Sequence, residues 1–228
     1  TPLYSSAASD VYKRQVSSYT QLLARRYRDK LDQEARDFVG YVVDGASRMQ
    51  GLIQGLLSYA TVTIRGHPLA RLDASEAFSK AVASLQASIR ETGALVTKGE
   101  LPVVLGDGIQ VVQVFQNLIG NSIKFRRPSG LPRVHVSAQL DSDHAGFWVF
   151  KVTDNGIGID PKYFVHLFVM FRRLHPQNEY SGAGIGLALC KKIIERHGGK
   201  IWLESEPGQG TTCLFTLPAA GDEKGERR

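Results

Sequence analysis

The sequence predicts an α+β chain, a helical hairpin followed by an α/β two-layer sandwich. Three observations predict it. Phe38, Val42, Gly45, Met49, Leu52, Leu56 and Tyr59 are spaced 4-3-4-3-4-3, an unbroken heptad that stops before Gly66-His67-Pro68. Beyond that break, helical periods and alternating strand segments mix and close on antiparallel hairpins, the pattern of helices on one face of a mixed sheet. Within the second part, one helix carries a row of amides, and two glycine-rich turns follow it.

The totals agree with a soluble-type globular chain. The 228 residues fit one large or two small domains, and 43% hydrophobic with 22% charged residues is an ordinary balance. The net charge of +6 is spread over pairs such as Arg25-Arg26, Arg126-Arg127, Arg172-Arg173 and Lys191-Lys192. That reads as a solvated surface, and no nucleic-acid partner is expected. Cys190 and Cys213 lack metal-ligand spacing and stand in apolar stretches, as buried thiols of a reducing compartment do. No apolar run is long enough to span a membrane. A cytoplasmic location is expected.

Residues 1–15 show no sustained period and read as a non-native or truncated segment. From Val16 the pattern is helical, with Tyr19, Leu22, Leu23 and Tyr27 on one face, and Asp29 to Asp32 break it. The heptad helix follows. Ile53 and Leu57 widen its stripe, which a lone hairpin cannot bury. A homodimeric four-helix bundle through residues 16–63 would cover it; packing on the chain's own globular part is the alternative. The hairpin is assigned to 16–65 and the globular domain to 69–219, with a disordered tail at 220–228.

In the globular domain, Leu69–Leu72 reads as a short strand and Ala74–Glu91 as an amphipathic helix. Leu95-Val96-Thr97 and Val103-Val104-Leu105 read as a strand pair. Asp107 is the expected N-cap of a helix over 109–125. Val134–Leu140 and Phe147–Thr153 read as a hairpin. A glycine-interrupted stretch runs to Gly186, a helix continues to about His197 before Gly198-Gly199, and strands at 200–205 and 212–217 close the fold.

The chemistry concentrates in three stretches. Gln113, Asn117 and Asn121 recur every four residues, with Lys124 three further on, so all four share one helical face. Amide oxygens are hard donors of the kind Mg²⁺ accepts, and a lysine neutralises phosphate as a point charge. A merely solvated face is the alternative. Asp154 ends an apolar strand before Asn155-Gly156-Ile157-Gly158. A sheltered carboxylate there can accept a hydrogen bond from an exocyclic amine such as adenine's, although taken alone a simple turn fits equally well. Gly182-Ala183-Gly184-Ile185-Gly186 runs into a helix, where glycine amides and the helix N-terminus make an anion site. The order of strand, loop and acid excludes the dinucleotide fingerprint, and there is no P-loop.

In order and spacing together, the three stretches resemble the ATPase-like catalytic domain of the histidine kinases of two-component signalling. The resemblance covers about residues 16–218. Gln113–Phe125 resembles the family's asparagine box, and Asp154–Gly158 and Gly182–Leu187 its two glycine boxes. Phe164–Phe171 resembles its phenylalanine box, and Gly208-Gln209-Gly210-Thr211-Thr212 its closing G-x-G-T turn. The hairpin resembles the dimerisation and phosphotransfer domain of phytochrome-like and PAS-linked sensor kinases. The implied fold is a dimeric four-helix bundle followed by a sandwich of the histidine kinase/Hsp90-like ATPase type.

The resemblance implies ATP and Mg²⁺ as cofactors and a response regulator receiver domain as partner. It implies that Asn121 coordinates Mg²⁺ with support from Asn117, and that Gln113 takes the place often held by a water-polarising glutamate. Lys124 would meet phosphate, and Asp154 the adenine amine, helped by Thr211 through a water. Ile159, Phe168 and Leu187 would also line the nucleotide. Gly156, Gly158, Gly182, Gly184 and Gly186 would shape a lid over about 157–184 that carries Arg172, Arg173 and His175. Arg173 or Arg172 would steady transferred phosphoryl charge, or else be a surface arginine.

One departure stands out. The family's first helix carries a phosphoacceptor histidine, which counting back from Val16 puts near position 7. This sequence has Ala7 there, Ala8 for its acidic partner and Tyr12 for the proline of the motif. The six histidines are His67, His135, His144, His166, His175 and His197. The expectation is a kinase core that binds ATP and cannot phosphorylate itself in cis. The alternatives are a non-catalytic dimeric nucleotide-binding module and a chaperone- or mismatch-repair-type ATPase; the heptad hairpin argues against the last.

Overall fold

The structure, a computed structural model, describes Tyr19, Leu22, Arg26 and Tyr27 and residues 31–64, 66–174 and 183–221. Most of the expected helix from Val16, residues 1–15, His175, Gly182 and most of the expected tail therefore lie outside it; Tyr19, Leu22 and Arg26 are helical. The chain divides into two compact units, one up to Leu57 and one from Ser58 onward. The division falls inside helix α1 (Gln33–Ile64). In the first unit, the heptad residues Phe38, Val42 and Met49 stand exposed along α1, and Leu56 continues the exposed stripe. No helix of the described residues is long and apolar enough to cross a membrane.

The second unit is the two-layer sandwich that the sequence predicts. Its strands are β1 (Ala70–Asp73), β2 (Leu95–Lys98), β3 (Val103–Gly106), β4 (Arg133–Leu140), β5 (Phe147–Asp154), β6 (Ile201–Glu206) and β7 (Gly210–Pro218). Its helices are α2 (Ala74–Ser84), α3 (Gln86–Thr92), α4 (Gly108–Lys124), the single turn α5 (Phe164–Leu167) and α6 (Gly186–Arg196). Five strands form one sheet in the order β2-β4-β5-β7-β6. Only β2 runs parallel to its neighbour. The alternating side chains of β4, β5 and β7 bury Val134, Val136, Phe150, Val152, Phe215 and Leu217 against the helices.

Two expectations are corrected. Leu95–Thr97 and Val103–Leu105 do not pair with each other. β2 joins the main sheet beside β4, and β3 pairs antiparallel with β1 in a separate two-stranded ribbon. Pro102 explains the parting in part: it cannot donate to a ladder, and its carbonyl instead accepts from Ala74 N–H at 3.1 Å. The helix expected over 74–91 is two helices. Ser84 Oγ donates to Ala81 O at 2.7 Å, and Leu85 N–H divides itself between the carbonyls of Ala81 and Val82. A serine bonding back to its own helix competes with the backbone ladder and turns the chain.

Helix α4 is the centre of the core. Asp107 caps it, accepting from Ile109 and Gln110 N–H. Its apolar face buries Val111, Val114, Phe115, Leu118 and Ile119. The Phe115 ring meets Phe78, Phe150 and Phe215 edge-on at 5.8–6.1 Å, and Phe150 stacks on Phe215 at 5.0 Å. The same end of α4 holds the close of α1. Gln110 Nε2 donates to Val62 O at 3.1 Å, and Asp107 Oδ2 accepts from His67 N–H at 2.8 Å. Arg196 Nη2 donates to His67 O at 2.7 Å, and Arg196 Nη1 to Gln110 Oε1 at 3.0 Å. These bonds explain why the second unit begins at Ser58, ahead of the break at Gly66-His67-Pro68.

Phe115→Ala leaves a cavity bounded by three rings that cannot all collapse into it. Urea unfolding should show a loss of about 3–5 kcal/mol; a loss under 1 kcal/mol would contradict this account of the core.

Candidate functional site

A cavity of about 320 Å³ opens at the C-terminal end of α4. It is walled by α4, the end of β5, the turn after it, the start of β7 and the segment entering α6. Of the residues singled out in the sequence, Asn117, Asn121, Lys124, Asp154, Gly158, Ile159, Arg173, Gly184, Gly186, Leu187 and Thr211 line it. Gln113 and Phe168 do not line it, and Gly156 stands behind Asp154. Gly182 lies outside the described residues.

One end of the cavity is built around a carboxylate. Asp154 Oδ1 accepts from Gly156 N–H at 2.9 Å and from Thr211 N–H at 3.0 Å, and the Ser122 side chain bonds to the same carboxylate. Burial pushes Asp154 above the usual carboxylate range, and the three hydrogen bonds pull it back only in part. Because both backbone donors use Oδ1, Oδ2 keeps acceptor capacity for a ligand. Around it stand Leu118, Val152, Ile157 and Cys213. This is an apolar slot with one strong acceptor.

The turn that leaves Asp154 is held tightly. Gly158 has φ 72°, and a side-chain carbon there would run into the Glu206 carbonyl. Only glycine meets both demands. Ile159 N–H donates to Ser205 Oγ at 2.8 Å, and Ser205 Oγ in turn donates to Gly210 O at 2.7 Å. Ser205 thus ties the stem after Gly158 to the strand that supplies Thr211.

The other end is cationic. Lys124 and Arg173 both face the cavity, as does Arg172. Burial lowers the Lys124 ammonium from its usual range, and the Arg173 guanidinium lowers it further. Two like charges held together in a partly buried place favour an anion between them. Helix α6 starts at this end, and its N-cap residue Ile185 makes no side-chain capping bond. The first N–H groups of a helix attract an anion. Phe171, at φ 63° an unusual conformation for a side-chain-bearing residue, donates its N–H to Gly184 O at 2.9 Å. That bond joins the two described stems of the segment between Arg173 and Gly184.

Between the two ends lie the amides. Asn117 Nδ2 donates to Gln113 O at 3.0 Å, which fixes the carboxamide and leaves Oδ1 toward Gly186. A carbon added at Gly186 would lie 3.1 Å from that oxygen. Among the described residues no group of three or more His, Cys, Asp or Glu side chains could hold a metal ion. The hard donors on offer are the oxygens of Asn117 and Asn121, which suit a cation that draws its other ligands from phosphate and water.

Sequence reasoning missed Ser122 and Ser205. Ser122 had a legible signal, since it interrupts the apolar face of α4 between Leu118 and Phe125 and is buried. Ser205 had none, because its role arises only when β6 and β7 pair and bring Ser205 opposite Thr211.

Residues 106–221 match the family model described as histidine kinase-, DNA gyrase B-, and HSP90-like ATPase. Phytochrome-like protein Cph1 of Synechocystis sp. is 49% identical over 204 residues, 90% of this chain and 27% of that protein. Cyanobacterial phytochrome A of Nostoc sp. is 46% identical over 214 residues, 94% of this chain and 27% of that protein. The chain thus spans about a quarter of the length of these relatives. The crystal structure of full-length ShkA in complex with AMPPNP superposes with a TM-score of 0.67 at 23% identity, over 97% of this chain and 47% of that one. The mycobacterial sensor histidine kinase MprB does so with a TM-score of 0.55 at 25% identity, over 68% of this chain and 99% of that one.

The raised pKa of Asp154 has a consequence for stability. In the window above the ordinary carboxylate value, the folded chain keeps a proton that the unfolded chain has lost. Stability therefore falls as pH rises through that window and stays reduced above it. Asp154→Asn, which carries no charge to bury, should melt higher than wild type at pH 7 by differential scanning calorimetry. The gap should close as pH falls below the carboxylate range. A variant that melts lower at pH 7 would refute the burial argument.

Proposed function

Since the chain belongs to the histidine kinase-, DNA gyrase B- and HSP90-like ATPase family, as the kinase region of a two-component sensor histidine kinase, we propose that its cavity binds ATP with Mg²⁺ and delivers the γ-phosphoryl group to a histidine. The observation that supports this reading is the polarity of the cavity. A sheltered carboxylate in an apolar slot stands at one end. Lys124, Arg173 and the start of α6 stand at the other, with the oxygens of Asn117 and Asn121 between.

In this reading Asp154 accepts from the adenine amine through Oδ2, and Thr211 supports it at the base. Ile157, Ile159 and Leu187 supply apolar cover. Asn121 and Asn117 hold the cation, which neutralises phosphate oxygens when bound. Lys124 and the amides of Gly184 and Gly186 hold phosphate, with Gly156 and Gly158 shaping the turn after β5. Arg173 steadies charge on the transferred group, and Gln113, outside the cavity lining, bears on the site through its carbonyl, which holds the Asn117 carboxamide. The phosphoryl group passes in line from ATP to a histidine nitrogen, ADP leaves, and the histidine then passes it to an aspartate of a response regulator.

The proposed domains are 16–65 for dimerisation and phosphotransfer and 69–219 for ATP binding. The exposed heptad residues Phe38, Val42, Met49 and Leu56 support a homodimer through 16–63. None of the six histidines stands before His67. That also supports a second reading of the chain by itself, a dimeric nucleotide-binding module that regulates without transfer.

Binding of a fluorescent ATP analogue should require Mg²⁺, and Asp154→Asn should weaken it roughly 10- to 100-fold, the worth of a hydrogen bond to a charged group. Unchanged affinity in the variant would remove the adenine assignment. Incubated with γ-³²P-ATP, the chain should take up no acid-labile label; such a label would show that an acceptor lies elsewhere.

A further inference from the structure

Arg127 follows α4 and is exposed. Its guanidinium nevertheless has a definite task. Nε donates to Gly156 O at 3.1 Å, and Nη2 donates to Gly208 O. Gly156 belongs to the turn after β5, and Gly208 to the turn between β6 and β7. These are separate loops, joined otherwise by the bond from Gly208 N–H to Ile157 O at 2.7 Å. The first loop carries one of the two amides that hold Asp154 Oδ1, and the second leads into β7, which carries the other. Gly156 gives its own N–H, and Thr211 stands three residues beyond Gly208.

We propose that Arg127 is a positioning residue for base recognition: it staples the two loops so that their amides converge on Asp154, and it thereby fixes the carboxylate that reads the adenine amine. The inference rests on the ATP reading above. The fork geometry explains why arginine serves here. A planar guanidinium offers divergent N–H groups to two carbonyls at once, whereas an ammonium is a compact point charge on a flexible stem. Arg127 thus differs in kind from Lys124 and Arg173. Those two line the cavity, where a phosphate would meet them, while Arg127 is not among its lining residues and acts on backbone oxygens behind the base end.

The experiment compares ATP with inosine triphosphate, which carries an oxygen in place of the exocyclic amine. Competition against a fluorescent nucleotide measures both in wild type, Arg127→Lys, Arg127→Met and Asp154→Asn. The staple predicts that both Arg127 variants lose roughly tenfold in ATP affinity, with ADP affected equally. It predicts that inosine triphosphate affinity stays at the wild-type value, and that the losses do not depend on salt. Lysine at 127 that restores ATP binding, or a loss that grows with phosphate number and fades with salt, would make Arg127 a diffuse cation and overturn the staple. An equal loss for both triphosphates would make its role merely structural and overturn it too. If wild type shows no preference for ATP that Asp154→Asn removes, the adenine reading itself fails. If that preference is present and the Arg127 variants keep it, the staple alone fails.

Discussion

The cavity depends on keeping a carboxylate charged where burial opposes the charge. Asp154 ends β5 between the helix layer and the start of β7, and its removal from water raises its pKa. Only donors aimed at it can offset that cost, and each donor imposes a demand on the chain. One amide must come from the residue two further along, so the chain must turn back at Asn155-Gly156. A second must come from Thr211, so the β6–β7 turn must lie against the β5 turn. A third donor must come from α4, so a serine replaces an apolar residue on its buried face. Asn155 secures the same turn from outside, with Oδ1 accepting from Arg133 N–H at 2.8 Å and Nδ2 donating to Leu131 O at 3.0 Å.

Two rods carry this site. Helices α4 and α6 pack against each other, and each has one end at the cavity and the other at a polar cluster on the far side. In that cluster Asp107 caps α4, and Asp107 N–H donates to His197 Nε2 at 2.9 Å at the close of α6. His197 must be neutral to accept that bond, and burial lowers its pKa accordingly. Its other nitrogen lies 2.8 Å from Ile193 O, which assigns the proton to Nδ1. Arg196 reaches the Asp107 carboxylate at 3.5 Å and adds bonds to Gln110 and His67. The cavity ends of α4 and α6 are therefore positioned by contacts made at their opposite ends. The row Asn117, Asn121 and Lys124 is rigid because α4 is capped, packed and tied at its start.

Much of this was legible in the sequence because it rests on local rules. The heptad of α1, the Asp107 cap, the β4–β5 hairpin and the row on α4 follow from period and capping chemistry, and their bounds agree to a residue or two. Pairing of the short strands was not legible. Four-residue strands at 95–98 and 103–106 carry no information about partners, and closeness in sequence suggested a hairpin that the sheet does not use. The site shows the same division. Residues that present chemistry on a helix face or a glycine turn could be named from the chain. Ser205 and Arg127 could not, because their partners are backbone atoms brought near by strand pairing, and a basic pair such as Arg126-Arg127 looks the same whether it meets solvent or two carbonyls.

The two ends of the cavity ask opposite things of electrostatics, and this gives the site its direction. At the Asp154 end, a single charge is held by fixed dipoles and can read a neutral donor. At the Lys124 end, burial and the neighbouring Arg173 guanidinium lower the Lys124 ammonium from its usual range, and two positive groups held together favour an anion. A neutral base with a polyanionic tail satisfies both ends in one orientation only. The reversed orientation would place phosphate against a carboxylate and leave the cation pair facing an apolar ring. In the proposed ATP reading, a base held at the Asp154 end leaves the phosphates to extend toward Arg173 and the start of α6. The orientation proposed for the nucleotide thus follows from the charges at the two ends of the cavity.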